Sequence, residues 1–331
     1  MRVLVTGGAG YVGSHTVRAL LEAGHQVWVL DNLSRGHREA VPEDVLILGD
    51  IRDVNHLARV LREKQVEAVL HFAAFALVGE SMQQPQLYYE NNLRGGLALL
   101  QAMVQADVPK LVFSSTCAVY GVPTTVPIPE DSPTLPVNPY GRSKLAFEWA
   151  LADLGRAGKL GYASLRYFNA AGACPDATLG EDHEPETHLI PLVLQTALGL
   201  RPFVEIYGTD YDTPDGTCIR DYVHVDDLAD AHVRALERIR VGEGIVCNLG
   251  IGRGYSVRQV IAACQEVTGK PIAVRESPRR PGDPPHLVAD SSRARQLLGW
   301  HPRYTDLRSI VETAWRWHRT HPRGFASSGS L

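Results

Sequence analysis

Two side chains that could exchange a proton with a substrate stand four residues apart in the segment YGRSK at 140–144. A helix that begins after Pro139 would place the phenol of Tyr140 and the ammonium of Lys144 on one face. A positive charge beside a phenol favours the phenolate, so Tyr140 is a candidate base near neutral pH. The same spacing also occurs in helices where the lysine is only solvated, so this pattern needs support from the rest of the chain.

Three glycines spaced three residues apart, Gly7, Gly10 and Gly13, follow a short apolar run and lead into helical spacing of apolar residues over 11–23. This order predicts a strand, a tight turn and a helix, whose free N–H groups can hold a pyrophosphate. Asp31 ends the next predicted strand, where a carboxylate can accept both hydroxyls of an adenosine ribose and repel a 2′-phosphate. The pattern therefore predicts a dinucleotide site that takes NAD rather than NADP.

Hydroxyl groups end the apolar run 110–114, since Ser114, Ser115 and Thr116 follow one another there. Ligands of open α/β sheets bind at the carboxyl ends of the strands, which makes these hydroxyls candidates for contact with a substrate. Capping of the strand end is the other explanation.

Composition limits the class of protein. The chain has 331 residues, 44% of them hydrophobic and 21% charged, and a formal net charge of −4. This is typical of a packed protein of about two domains, and it offers no general attraction to nucleic acid or to an anionic membrane. The five cysteines are scattered without a CxxC pair, which predicts a reducing compartment, the cytoplasm, and no metal site. No apolar run is long enough to cross a membrane.

Strand and helix patterns alternate along the first half of the chain and must position these groups. Strands are predicted at 2–6, 26–31, 45–49, 68–72, 110–114 and 162–167, and helices at 11–23, 53–64, 86–106 and 140–157. Such alternation predicts an α/β fold of the Rossmann type, a doubly wound parallel sheet. The alternation breaks after residue 170, which predicts a smaller second α/β lobe with helices near 189–199, 225–239 and 256–268 and a strand near 203–207.

Longer motifs extend over nearly the whole chain and carry a resemblance to a known family. They are TGGAGYVGSH, LDNLSRG, GDIRD, HFAA, VGES, YYENN, FSSTCAVYG, NPYGRSK, LRYFNAAGA, GEDH, HLIP, GTCIRDYVHVDDLA and RRPGDP. With them the sequence resembles the extended short-chain dehydrogenase/reductases, and within these the UDP-hexose 4-epimerases.

The resemblance implies which residues hold NAD. It assigns the pyrophosphate to the glycine turn, the adenosine ribose to Asp31 and Asn32, and the nicotinamide ribose to Lys144. The full implied set is Gly7, Gly10, Tyr11, Val12, Gly13, Asp31, Asn32, Asp50, Ile51, Phe72, Ala73, Asn91, Ser114, Tyr140, Lys144, Tyr167 and Phe168.

The resemblance also implies a UDP-hexose site. The catalytic residues would be Tyr140, Lys144 and Thr116, where Thr116 takes the place of the usual serine. The substrate set is Thr116, Tyr140, Asn169, His188, Leu189, Tyr207, Arg220, Arg280, Asp283 and Leu287. Guanidinium groups such as those of Arg220 and Arg280 match diphosphate oxygens, although without the resemblance they would be taken as surface salt bridges. Leu287 stands where members selective for non-acetylated sugars carry a tyrosine.

The activity implied is the interconversion of UDP-galactose and UDP-glucose through a 4-keto intermediate, with tightly bound NAD and with N-acetylated UDP-sugars left open. An NAD-binding domain at 1–170, joined by segments near 215–250, and a UDP-sugar-binding domain at 171–331 are expected, as is a homodimer formed by helices near 90–106 and 140–157. Two alternatives remain. A nucleotide-sugar 4,6-dehydratase would carry Asp-Glu after the strand-end threonine, where this chain has Cys117 and Ala118. A non-catalytic NAD-sensing protein would share the fold.

Overall fold

The structure, a computed structural model, describes residues 1–280 and 283–325. Its strands are β1 (Arg2–Thr6), β2 (Gln26–Asp31), β3 (Leu46–Leu48), β4 (Ala68–His71), β5 (Lys110–Thr116), β6 (Gly161–Tyr167), β7 (Asn169–Ala171), β8 (Val204–Tyr207), β9 (Ile219–His224), β10 (Gly244–Leu249), β11 (Gly254–Ser256), β12 (Val274–Ser277) and β13 (His286–Leu287). Its α-helices are α1 (Tyr11–Glu22), α2 (Val54–Glu63), α3 (Val78–Gln83), α4 (Pro85–Tyr88), α5 (Gly95–Gln105), α6 (Pro139–Arg156), α7 (Leu189–Ala197), α8 (Val225–Arg238), α9 (Val257–Thr268), α10 (Ser292–Leu298) and α11 (Leu307–Thr320).

Seven parallel strands form the main sheet, in the order β10-β6-β5-β4-β1-β2-β3. Their runs of apolar and β-branched residues suit burial on both faces, as Val3, Leu4 and Val5 show by being fully buried. The chain winds from β1 to β3 on one side and from β4 to β6 on the other, and the switch point between β1 and β4 is where such folds bind ligands. The predicted doubly wound α/β fold is confirmed.

Helices cover both faces of this sheet. One hydrophobic cluster joins the sheet to α1, α8 and α10 through side chains such as Val17, Leu228 and Leu298. The other joins it to α2, α5 and α6 through side chains such as Leu57 and Phe147. These layers hold the carboxyl ends of the strands at one edge.

A second lobe packs beyond that edge. Strand β9 pairs with β7, β11 and β13, and a separate parallel pair joins β8 to β12. Helices α7, α9 and α11 pack around a core of their own that includes Ile190, Val260 and Ile310. The sequence patterns did not indicate α10 and α11, which lie beyond the last element that was predicted. Strand β10 returns the chain from this lobe to the edge of the main sheet.

The predicted helix 86–106 is broken in the structure. A π-helical segment, Tyr89–Arg94, links α4 to α5. The wider turn lets Asn91 line the cleft described below while its neighbour Asn92 is buried. Periodicity alone misses this change, because apolar spacing continues across it; π-turns of this kind occur frequently at functional sites.

No helix in the described residues is both long and apolar enough to cross a bilayer.

Candidate active site

A cleft of about 1110 Å³ opens at the carboxyl edge of the main sheet and extends under the second lobe. Single ligand pockets usually measure roughly 300–1,000 Å³, so this one has room for more than one ligand. The structure brings most of the predicted site residues to its walls: Gly7, Gly10, Tyr11, Val12, Gly13, Asp31, Asn32, Ile51, Phe72, Ala73, Asn91, Ser114, Thr116, Tyr140, Tyr167, Phe168, Asn169, His188, Leu189, Tyr207, Arg220, Arg280, Asp283 and Leu287.

Two predicted site residues, Asp50 and Lys144, are not among those that line the cleft. The Asp50 carboxylate accepts hydrogen bonds from the guanidinium of Arg52 at 2.8 and 2.6 Å. Lys144 is buried and its Nζ donates to the backbone oxygen of Ser114 at 2.8 Å. Lys144 therefore lies behind the wall that carries Ser114.

The three glycines of the first turn have different structural roles. Gly7 has φ +73°, and a Cβ there would lie 2.3 Å from the backbone nitrogen of Ala73. A Cβ on Gly13 would lie 2.3 Å from the carbonyl oxygen of Gly7, so this glycine lets helix α1 pack on the turn. A Cβ on Gly10 would meet only that same oxygen, at 3.4 Å. Gly7 and Gly13 are thus required by the fold, whereas Gly10 leaves the wall of the cleft open.

The start of helix α1 fits the diphosphate of a dinucleotide. Its N-cap is Gly10, which provides no side-chain acceptor for the first N–H groups. Asp31, at the end of β2, accepts from the N–H groups of Ala9 at 3.0 Å and Leu33 at 2.8 Å. Burial raises the pKa of Asp31, and the bonds from Leu33 and Ala9 counter this. The donors and the carboxylate suit the pyrophosphate and ribose of NAD.

Tyr140 and Thr116 lie together in the cleft. Pro139 begins helix α6, and the Asn138 side chain caps it by accepting from the N–H of Gly141 at 2.8 Å. Burial, and after it the neighbouring Tyr167, raise the pKa of Tyr140 well above its usual value, and the contact with the Thr116 side chain offsets only part of this rise.

Lys144 shares the helix face of Tyr140, with its Nζ 6.0 Å from the centre of that ring. Burial lowers the pKa of Lys144 to about 7, and Glu148 counters this. The ammonium is therefore only partly charged at neutral pH, and the contact within the protein that favours the Tyr140 phenolate is the Thr116 hydroxyl.

A buried ion pair behind Thr116 went unrecognised in the sequence. Glu148 accepts from Arg166 Nε at 3.0 Å and Nη2 at 2.5 Å, and from the Ser115 hydroxyl at 2.5 Å. Both charged side chains are almost fully buried, at 5% and 8% exposure. Glu148 follows Lys144 by one helical turn, and that spacing was the available signal. The pair fixes the end of β5 against α6.

Asn92 ties the wall of the cleft to the same helix. Its side chain accepts from the Phe75 N–H at 2.8 Å and donates to the Phe75 oxygen at 3.0 Å and to Ser143 Oγ at 3.2 Å. On the neighbouring strands β5 and β6, the hydroxyls of Ser114 and Tyr167 are 2.6 Å apart. These contacts fix the Phe75 backbone against helix α6 and join β5 to β6 through the Ser114 and Tyr167 hydroxyls.

Cationic side chains line the other end of the cleft. Arg220 is buried on β9 and forms an ion pair with Asp283. The guanidinium of Arg280 stacks over the Tyr207 ring, 3.9 Å from its centre. Leu287 pairs with Arg220 across β13 and β9 and packs on a cluster that includes Phe168. The guanidinium groups of Arg220 and Arg280 can therefore hold an anionic group at this end of the cleft.

Comparison with known proteins decides the family. The sequence model of the NAD dependent epimerase/dehydratase family matches residues 3–250. The chain belongs to this family. Members similar to it include the UDP-glucose 4-epimerase of Halalkalibacterium halodurans, which is 53% identical over 328 residues that cover 99% of this chain and 98% of that protein.

Two solved members of the family have the same architecture. The UDP-glucose 4-epimerase of Bifidobacterium longum, in complex with NAD+ and UDP, aligns with a TM-score of 0.94 and 40% identity over 98% of this chain and 100% of that one. The UDP-Glc/GlcNAc 4-epimerase of Campylobacter jejuni aligns with a TM-score of 0.84 and 43% identity over 96% of this chain and 99% of that one.

Proposed function

We propose that the protein is an NAD-dependent isomerase that interconverts UDP-galactose and UDP-glucose. The observation that carries this function is one cleft that is lined by Tyr140 and Thr116, by the dinucleotide cradle at Gly10, and by Arg220 and Arg280. The family match and the similarity to UDP-glucose 4-epimerases support it.

NAD held at the start of helix α1 and by Asp31 would supply a hydride acceptor for the hydrogen at C4 of the hexose and would be regenerated in each cycle, so no second substrate would be consumed. Tyr140 takes the proton of the O4 hydroxyl as a 4-keto sugar forms, and Thr116 donates a hydrogen bond that stabilises the Tyr140 phenolate. Lys144, buried beside them, positions the Ser114 backbone that forms the cleft wall. After the keto-sugar has rotated to present the other face of C4, Tyr140 returns the proton to O4.

Arg220 and Arg280 hold the diphosphate of UDP while the sugar turns. Each guanidinium group can donate two parallel hydrogen bonds to phosphate oxygens, so these arginines bind the diphosphate strongly. The contacts to the sugar can then be weaker. Asp283 forms an ion pair with Arg220, and both residues line the cleft. A firm grip on UDP and a loose one on the hexose let either face of C4 meet the cofactor.

The first experiment incubates the purified protein with UDP-galactose, without added cofactor, and separates the sugar nucleotides. We expect UDP-glucose to form. Tyr140→Phe should lose at least 10²-fold in rate, since a positioned general base contributes roughly 10²–10⁴-fold, and it should keep its NAD. Tyr89→Phe, a change at an exposed tyrosine, is the matched control. Undiminished turnover by Tyr140→Phe would remove that residue from its role.

The same assay separates the alternatives. A 4,6-dehydratase would release a 4-keto-6-deoxy sugar, but Cys117 and Ala118 follow Thr116 where elimination needs an acid and a base. Burial raises the pKa of the Cys117 thiol to about 12, which leaves it neutral. An NAD-sensing protein would exchange its cofactor freely and show no isotope exchange at C4.

We further propose that the enzyme accepts UDP-GalNAc and UDP-GlcNAc. Leu287 lines the cleft with a side chain smaller than tyrosine, which leaves room for an acetamido group. A relative of this chain is named a UDP-Glc/GlcNAc 4-epimerase. Leu287→Tyr should lower turnover of UDP-GalNAc much more than that of UDP-galactose. Equal losses with both substrates would contradict a gating role for this position.

Part of this proposal is an NAD-binding domain at 1–170 that is joined by α8 and β10 from the segment near 215–250, with β9 and its Arg220 belonging to the UDP-sugar-binding lobe. A homodimer is also part of the proposal. Support for the dimer comes from apolar side chains left exposed on α5 and α6, namely Leu97, Val104 and Trp149. Sedimentation at the mass of one subunit would contradict it.

We also propose that the protein acts in the cytoplasm, supported by five buried cysteines that are all free thiols.

A further inference from the structure

Four metal-ligating side chains meet in the segment 181–188, between β7 and α7. Glu181, His183, Glu186 and His188 each offer one donor atom, and these atoms all lie within 4.8 Å of one another. The Nδ1 atom of His183 is 3.2 Å from Glu181 Oε1, and that of His188 is 3.4 Å from Glu186 Oε1. Two imidazoles and two carboxylates therefore face a common point.

Three of these atoms are buried without a hydrogen bond. Glu181 Oε1, His183 Nδ1 and His188 Nδ1 have no partner in hydrogen-bonding geometry, and the Glu181 side chain is only 4% exposed. The Glu181 oxygen lies 2.5 Å from His188 Nδ1 and 3.2 Å from His183 Nδ1, so one carboxylate oxygen faces two imidazole nitrogens at close range but outside hydrogen-bonding geometry. A ligand that all three can share would satisfy them at once.

We propose that Glu181, His183, Glu186 and His188 bind a zinc ion. Two imidazole nitrogens and two carboxylate oxygens form a donor set that zinc accepts in tetrahedral geometry. Bonds of about 2.0–2.1 Å place tetrahedral donors roughly 3.3 Å apart. His183 Nδ1 lies 3.2 Å from Glu181 Oε1 and 3.8 Å from Glu186 Oε2, which is close to that value. His188 Nδ1 lies 3.4 Å from the other oxygen of Glu186, and its 2.5 Å separation from Glu181 Oε1 needs to widen.

The surrounding contacts hold the donors toward this point. The Glu181 carbonyl accepts from Trp317 Nε1 at 3.1 Å, which fixes the segment to α11. Glu186 Oε1 accepts from the backbone N–H groups of Thr187 and His188 at 2.7 and 2.8 Å, so the backbone of the same segment sets its orientation. Outer contacts of this kind orient ligands in metal sites.

A site with four protein donors is closed, so the ion has a structural role. It would fix the segment that ends in His188 and Leu189, which line the cleft where α7 begins. The ring of His183 also lies edge-on to Tyr11, 6.1 Å between centres, next to the start of α1. The ion therefore stiffens one wall of the cleft without touching the reacting atoms, and its presence does not depend on the proposed reaction.

A second group, His15, Cys174 and Asp226, carries no such inference. His15 Nδ1 is 2.7 Å from Asp226 Oδ1, and the Cys174 sulfur accepts from Arg18, so hydrogen bonds already account for its donor atoms.

The test measures metal directly. Protein stripped with a chelator is titrated with zinc and, in parallel, with cobalt(II), and bound metal is counted by mass spectrometry. We expect one ion per chain, visible absorption bands of four-coordinate cobalt, and a higher melting temperature with zinc. His183→Asn should bind zinc at least 10-fold more weakly and lose the thermal shift, whereas His301→Asn, a change at an exposed histidine, should behave as wild type.

The alternative is a cluster of imidazolium and carboxylate groups held by charge alone. Wild type that takes up no more zinc than the buffer control, or His183→Asn that retains the ion, would establish that alternative. The cobalt spectrum of the wild type decides the matter even if His183→Asn fails to fold, because six-coordinate bands or none would contradict a closed four-donor site.

Discussion

Glu148→Gln tests whether the buried pair behind Thr116 holds the catalytic strand end. The change keeps the shape of the side chain but removes the charge that meets Arg166, which is 8% exposed. Breaking a buried pair by removing one partner costs about 3–5 kcal/mol, because the remaining charge stays desolvated. At roughly 2 °C per kcal/mol for a chain of this size, the melting temperature should fall by about 6–10 °C.

The activity of the same variant should also fall, because Glu148 accepts from Ser115, the neighbour of Thr116. Thermal unfolding followed by circular dichroism, together with initial rates of epimerisation, measures both effects. The double variant Glu148→Gln/Arg166→Met should recover part of the stability, since no charge is then left unpaired.

Asp153→Asn is the matched control on helix α6. Its partner Arg156 lies 2.5 Å away, but both side chains are about three-quarters exposed, at 73% and 75%. Exposed pairs contribute about 0–1 kcal/mol, so this variant should melt close to wild type. A Glu148→Gln protein no less stable than Asp153→Asn would refute the role assigned to the buried pair.

Two further predictions concern the glycine turn and Lys144. Gly24 has a similar φ of +79° but open space around an added Cβ, so Gly24→Ala should lower the free energy of unfolding in urea by about 1–2 kcal/mol. Gly7→Ala should lower it further, because its Cβ would meet the Ala73 backbone. Equal decreases for the two variants would show that the contact with Ala73 does not affect stability. Because the pKa of Lys144 is about 7 in the fold but 10.5 when exposed, the unfolded chain binds more protons between these values, so NAD-free wild type gains stability as pH rises. Lys144→Met should be more stable than wild type at pH 7, and the gap should shrink by about 2 kcal/mol at pH 9; a gap independent of pH would contradict the buried, weakly basic lysine.

Local sequence was a good guide to the first lobe. The predicted strand 26–31 and helix 53–64 agree with β2 and α2, because runs buried on both faces and an amphipathic pattern leave little choice of structure. The spacing of Tyr140 and Lys144 also placed both on one helix face. Their electrostatics could not be read from spacing, since burial and not proximity dominates the pKa of each.

Groups that act through long-range contacts were missed. The partner of Glu148 comes from a strand beyond its own helix, and nothing in the local pattern links it to Arg166. The run EDHEPETH at 181–188 held a signal of another kind, because its histidines and glutamates recur at short intervals. The cysteine pattern, from which no metal site was predicted, carries no information about these residues.

Strand β10 has a consequence for how the protein is made. Residues 244–249 form the edge strand of the main sheet by pairing with β6. During synthesis the sheet therefore stays incomplete until these residues have left the ribosome. Until then β6 presents an unpaired edge of the kind that recruits other chains. A fragment ending at residue 170 would keep that edge permanently and should aggregate, whereas the family match extends to residue 250, just past the strand that covers it.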